Sequence, residues 1–244
     1  MRLIGMSVVT IVSLLFATSA ALATTACSQV KVVVDLRADP AKPAAQVSTE
    51  ERQRLAEDVF PGAAGAFSVN SVAQGAFTGP GLRETLYLLQ RGGPDASAPA
   101  AQDAVVALYA EQRLLHTFTT RLGNFIEATL PVAGDVDRVI LRSDNFQMGT
   151  ASTALAVLQF SGGALHEEAT FPGARIDRCG DERFGGDVEA LVLSACTGAT
   201  PRSGLFSTAR YQAQCEDGRA PQPSAFRVMK ADSDQSSDAA WGKP

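Results

Sequence analysis

Apolar and polar positions along the chain change rhythm three times, and each change marks a boundary. Behind a single basic residue, Arg2, an apolar run extends from Leu3 to Phe16 and then dissolves into Ala, Thr and Ser. The run is shorter than the roughly 20 apolar residues that a spanning helix needs. Ala21-Leu22-Ala23 supplies the small-x-small pattern of a cleavage site. Residues 1–23 are therefore expected to be a signal peptide, leaving a mature chain with no membrane span that is periplasmic or secreted. A valine-rich, β-prone run follows over Gln29–Leu36, then an Ala- and Pro-rich linker over Arg37–Gln46. Ser48-Thr49-Glu50-Glu51 reads as a capping box, and Leu55, Ala56, Val59 and Phe60 form one apolar face of a helix that Pro61-Gly62 ends.

From Phe67 onward the rhythm is that of short β-like runs between turns rich in Gly, Pro and Ser. Beneath it lies an internal repeat with a period of about 50 residues. Gly134-Asp135-Val136-Asp137-Arg138-Val139-Ile140-Leu141 returns as Gly186-Asp187-Val188-Glu189-Ala190-Leu191-Val192-Leu193, and Glu84-Thr85-Leu86-Tyr87-Leu88 is an earlier, partial copy. A second landmark recurs in the same order: Leu108–His116 aligns with Leu158–His166, both ending in Leu-His, whereas the third unit has only the strand-like Leu205–Cys215. Such a unit cannot bury its own apolar faces, so neighbouring units must pack together. The expected fold is mainly β, with about three repeats of ~50 residues forming propeller-like blades or a sandwich, and one N-terminal helix. The expected segments are the signal peptide 1–23, an N-terminal strand, linker and helix over 24–66, a repeat-built β domain over 67–230, and a polar, disordered tail over 231–244 that holds the only Trp, Trp241.

Charge and cysteine content narrow the function classes. The chain has 21 basic and 26 acidic residues, spread without a basic cluster, which argues against a nucleic-acid surface. The four cysteines all follow the cleavage site, an even count that fits disulfides in an oxidising compartment. One bridge is expected among Cys179, Cys196 and Cys215, with Cys27 lipidated, free or paired back across the fold. Cys27 is a candidate lipid anchor, although Thr24-Thr25-Ala26 lacks the branched apolar residue usual before a lipid-bearing cysteine. No two cysteines stand at zinc-ligand spacing.

The first unit opens Gly75-Ala76-Phe77-Thr78-Gly79-Pro80-Gly81-Leu82-Arg83-Glu84 and runs into an apolar strand. This resembles the FG-GAP or VCBS-type repeat of integrin-like β-propellers, with Phe77, Gly79, Gly81 and Glu84 at the matching positions. The resemblance implies blades of antiparallel strands. In that family the loop often binds calcium, which takes six to eight oxygen ligands. Here the ligand positions hold Ala76, Thr78 and Pro80, so no calcium or other cofactor is expected, and Glu84, Asp137 and Glu189 read as turn or strand-edge residues.

No nucleophile elbow, P-loop, His-Glu-x-x-His or dinucleotide fingerprint occurs. The only histidines, His116 and His166, stand at equivalent repeat positions, which favours a structural role. In His166-Glu167-Glu168 only His166 and Glu168 can share a strand face. Asp177, Asp181 and Glu182 near Cys179 read as a solvated loop. The turn-rich segments Arg91–Asp103, Ser143–Ser152 and Ala195–Ser203 follow equivalent strands and are expected to gather into one binding face. Its candidate contacts are Asp144, Asn145, Phe146, Gln147 and Met148, an aromatic and a thioether among polar groups. The expected function is a non-catalytic binding module for an unknown protein or envelope component; the alternative is a cell-envelope hydrolase or a secreted inhibitor of one.

Overall fold

The structure, a computed structural model, describes residues 30–38, 44–61, 67–92, 104–132, 134–180, 186–196 and 206–229. The readings on residues 1–23, Cys27, Asp181, Glu182 and the tail with Trp241, and most of those on 91–103 and 195–203, lie outside these residues.

The chain is mainly β, as the alternation predicts. Twelve strands are described: β1 Val30–Asp35, β2 Phe67–Gly75, β3 Glu84–Arg91, β4 Ala104–Ala110, β5 Arg113–Thr120, β6 Phe125–Leu130, β7 Arg138–Gln147, β8 Thr150–Ser161, β9 Ala164–Asp177, β10 Asp187–Cys196, β11 Phe206–Gln214 and β12 Arg227–Val228. They form two antiparallel meanders. The smaller sheet runs β2-β3-β4-β5 and the larger, strongly curled one runs β6 to β12 in sequence order. On one side β10 pairs with β11; on the other it shares its edge between β9, over Val188–Ala190, and β1, over Val192–Cys196. The valine run thus becomes a strand of the larger sheet.

Alternation sends successive side chains to opposite faces, and three cores result. Leu86 and Leu88 of β3 and Val106 and Leu108 of β4 pack against Val139, Leu141, Ala156, Leu158 and Phe160 of β7 and β8. The other face of β7 and β8, through Ile140, Leu155 and Val157, packs on β1, β10 and β11. The other face of β3 and β4, through Tyr87, Leu89, Ala107 and Tyr109, is covered by Leu55 of the helix α1 Thr49–Val59 and by Phe60, which caps its C-terminus. The order of layers is helix, small sheet, β7–β8, then β1 with β10–β11.

α1 starts where the capping motif places it: the Ser48 hydroxyl accepts from the Glu51 N–H at 3.1 Å. The box is only half made, because the Glu51 carboxylate accepts a hydrogen bond from the Tyr87 hydroxyl instead. Of the expected cysteine pairings the one observed is Cys179–Cys215, with Cα atoms 5.6 Å apart, joining the end of β9 to the end of β11.

Candidate functional site

The sequence reads Ser143–Ser152 as a loop. It is instead the outer half of a long hairpin. β7 continues to Gln147 and β8 begins at Thr150, closed by a two-residue turn in which Met148 and Gly149 have φ of 51° and 83°. Both turn residues are left-handed, as the type I′ hairpin turn requires. Polar composition hid these strands; pairing with β8, and of β8 with β9 over Ala151–Thr153, supplies the order. Pairing of β6 with β7 ends at Phe125 and Arg142, so beyond Arg142 the outer edge of β7 has no strand partner among the described residues.

The five candidate contacts divide by role. The Asp144 carboxylate is engaged internally, accepting from Arg142 Nε at 2.8 and 2.9 Å and from the Thr153 hydroxyl at 2.7 Å. Asp144 therefore holds the hairpin rather than a ligand. Phe146 and Met148 are 74% and 79% exposed. Neither tucks into a core. Asn145 and Gln147 are also exposed and, by alternation, lie on the face opposite Phe146. The tip is braced from below: a Cβ on Gly180 would lie 3.1 Å from the Gly149 carbonyl, so the segment after Cys179 runs close against the turn. The disulfide fixes that segment to β11.

The single composite face is not formed. β7, β8, β9 and β10 alternate in direction, so the end of β7 and the end of β10 lie at opposite ends of one sheet. Ser143–Ser152 and Ala195–Ser203 accordingly leave from opposite ends. The end of β3 does lie beside the hairpin base: the Asn70 amide donates to Gln90 Oε1 and to the Asn124 carbonyl, and the Asn124 N–H donates to the Arg142 carbonyl.

The Gly75–Glu84 loop is a self-satisfied turn. The Glu84 carboxylate, 3% exposed, accepts from the N–H groups of Phe77 at 2.7 Å and Thr78 at 2.8 Å and from the Thr78 hydroxyl. Asp137 accepts from the Ala76 N–H at 2.8 Å, and its own N–H donates to the Ala76 carbonyl at 2.9 Å. Both acids act as turn residues, in line with the sequence. Glu189 instead pairs with Arg178 at 2.9 Å.

The two histidines are not equivalent in register. His116 lies opposite Leu108, but His166 lies opposite Gln159, one position off the sequence alignment. A slip of one residue in a strand exchanges its faces. His116 is half-buried beside the Phe118 ring, whereas His166 is exposed and contacts the Ser161 carbonyl. Glu168 falls at the bulge of β9 and binds Arg138 Nε at 3.1 Å rather than sharing work with His166. Among the described residues neither histidine hydrogen-bonds a serine hydroxyl, a thiol or a carboxylate. Asp177 is no solvated loop residue: it accepts from the Cys179 N–H at 3.0 Å and from Arg175 at 3.1 Å. Its carboxylate, Cys179 and Cys215 bring possible ligand atoms within 4.8 Å, but both sulfurs are in the disulfide and not available as thiolates.

Two features had no reading in the sequence. Buried arginines line the strands: Arg138 is held by Asp135, Glu168 and the Val136 carbonyl, and Arg175 donates to the Leu36 carbonyl at 2.6 Å. Backbone N–H donation from Val136, then Arg138, lowers the Asp135 carboxyl below its usual range. The second feature is an open groove of about 1240 Å³ beside the β4–β5 turn, with Leu82, Arg83, Arg113, Leu115 and His116 among its lining. Arginines scattered singly between apolar residues give no motif, which is why neither was legible.

Against protein-family models, curated proteins and solved structures the chain has no match.

Proposed function

We propose that the mature chain is an exported, non-catalytic binding module of the cell envelope that grips a protein or envelope partner with the tip of the β7–β8 hairpin. The observation that carries this reading is the exposure of two large apolar side chains, Phe146 and Met148, on one braced turn. Scattered exposed apolar residues are ordinary on a soluble protein. Two on one projecting tip supply the apolar centre of an interface, while the exposed Asn145 and Gln147 offer polar groups on the opposite face of the same strand. The unpaired outer edge of β7 adds backbone donors and acceptors to the same surface.

Export is supported by the N-terminal sequence pattern and fits the disulfide; no described helix is long and apolar enough to cross a membrane. The likeness of Gly75–Glu84 to an FG-GAP loop belongs to the proposal as well. β2–β5 and β6–β9 are then read as two four-strand units, and β10–β12 completed by β1 as a third. The surroundings of His116 and His166 lend the hydrolase alternative no support. An inhibitor is the special case in which the partner is an enzyme.

A photo-crosslinking residue placed at Met148 of the mature protein tests the site in envelope extract. Trapping of one discrete partner from Met148, and not from the exposed Thr119 on β5, is the expected result. Equal labelling from both positions contradicts the assignment.

A further inference from the structure

The outer edge of β7 beyond Arg142 carries backbone groups in a defined phase. In the two-residue hairpin turn Gln147 and Thr150 face each other, so Gln147, Asn145 and Ser143 turn their backbone groups toward β8. Arg142, Asp144 and Phe146 turn theirs outward. The neighbouring loop has the same phase: the Asn124 N–H donates to the Arg142 carbonyl at 2.8 Å, and the Asp144 N–H donates to Asn124 Oδ1 at 3.4 Å. Past Asn124, the Asp144 carbonyl and the Phe146 N–H and carbonyl have no partner among the described residues.

Edge strands are usually protected against pairing by bulges, prolines and charges. β9 has that protection. Its outer edge, without a strand partner before Arg175 among the described residues, is bent by two bulges and carries Glu167, Glu168 and Pro172. On β5 the exposed side chains are Arg113, Thr117 and Thr119. The end of β7 differs from both. Its pairing with β8 runs without a register shift from Val139 to Gln147, and Asn145–Thr153 holds no charged residue. Asp144 is the one charge on Ser143–Gln147, and its carboxylate already accepts from Arg142 and Thr153. Phe146 stands exposed on the same stretch. Pairing with β8, and of β8 with β9, orders this edge in advance of any partner.

We propose that an extended segment of a partner protein adds to this edge as a strand, pairing with Asp144 and Phe146 of β7. This inference rests on the hairpin reading and specifies how the tip binds. Backbone donors and acceptors in strand phase match a peptide backbone rather than a glycan or a lipid surface. Because Arg142 neutralises Asp144, the segment needs no charge there. It sets an apolar residue across from Phe146 and a polar one across from Asn145. Main-chain hydrogen bonds and these side-chain contacts on a preformed edge supply the affinity. A second copy of this chain fits less well. Self-pairing would join Ser143–Gln147 to its copy along a strip about 17 Å long, against the roughly 20–30 residues a side of a stable interface.

A phage-displayed library of linear dodecapeptides, panned on the immobilised mature protein and counter-selected on Phe146→Ser/Met148→Ser, supplies the probe. The expected peptides alternate apolar and polar residues. Synthetic copies N-methylated at one amide at a time should lose affinity severalfold at alternate positions and keep it between them. Only every second residue of an added strand turns its N–H toward β7. Phenyllactate in place of Phe146 keeps the ring and replaces the N–H by an ester oxygen. It should weaken the same peptides severalfold with the thermal midpoint retained. The proposal is overturned if no peptide is enriched on wild type, if N-methylation acts without alternation, or if the folded ester protein binds unchanged. A dimer in sedimentation equilibrium that the ester variant loses also overturns it, because the occupant is then a second copy. A discrete partner trapped from Met148 without the strand signature leaves the tip as the binding site and removes strand addition alone.

Discussion

Glu84 shows how a single buried charge can look like a ligand in sequence and act as a brace in the fold. Its carboxylate is 3% exposed and collects two N–H groups and a hydroxyl from the loop it closes. Replacing it with Ala would leave the N–H groups of Phe77 and Thr78 without a partner, at about 1–3 kcal/mol for each buried unsatisfied group. Glu84→Ala is therefore expected to lower stability by several kcal/mol in denaturant unfolding. A loss below about 1 kcal/mol would mean that water or the loop itself satisfies those groups. Phe146 and Met148 stand at the other extreme, since both are largely exposed and no described residue covers them. Exposed substitutions away from special features change stability by no more than about 0.5 kcal/mol, so Phe146→Ser and Met148→Ser should leave the unfolding midpoint in place.

Two titratable tyrosines help to attach α1 to the small sheet. The Tyr87 hydroxyl donates to Glu51 and the Tyr109 hydroxyl to Asp58, with the two rings edge to face at 5.5 Å. Burial, then the Glu51 carboxylate, pushes Tyr87 up to about 12. Burial and Asp58 raise Tyr109 as well. A tyrosine whose folded pKa exceeds the unfolded value of about 10 contributes stability that is complete below pH 10. That stability is lost as pH rises through the folded value. The thermal midpoint should fall between about pH 10 and 12, and the fall should be shallower in Tyr87→Phe. A pH-independent midpoint over that window contradicts the attachment. The helix itself was legible, because Ser48 and the spacing of Leu55, Val59 and Phe60 are local signals that tertiary contacts reinforce. The β7–β8 hairpin was not. Its outer half is polar because it has lost β6 on one side and faces solvent, and its turn is Met-Gly rather than the Asn-Gly or Asp-Gly that marks a type I′ turn in sequence. The Leu-His alignment failed for a related reason: bulges at Leu108–Tyr109 and at Val157–Leu158 shift register in ways that no residue type announces.

For the molecule as a whole, the sequence conveyed the class and not the closure. Alternation predicts strands, and the strands are there; how they join into one four-strand sheet and one curled sheet depends on the sharing of β10's edge by β9 and β1. That arrangement bears on the cysteines. With Cys179 bonded to Cys215, Cys27 and Cys196 remain, and β1 sets Val30, three residues after Cys27, opposite Cys196. A second bridge, Cys27–Cys196, is expected in a non-reducing peptide map of the exported protein. It would staple β1 to β10. Diacylglycerol on Cys27, whose sulfur would then be a thioether, contradicts it.

Capture from envelope extract with matched variants decides whether the β7–β8 tip is the binding surface proposed above. Wild type, Phe146→Ser/Met148→Ser and Arg83→Glu/Arg113→Glu would be immobilised at equal density after their thermal midpoints have been shown to agree. Wild type and the groove variant should retain the partner trapped by crosslinking from Met148, and the tip variant should lose it. Retention of that partner by a folded tip variant would show that the β7–β8 tip is not the binding site.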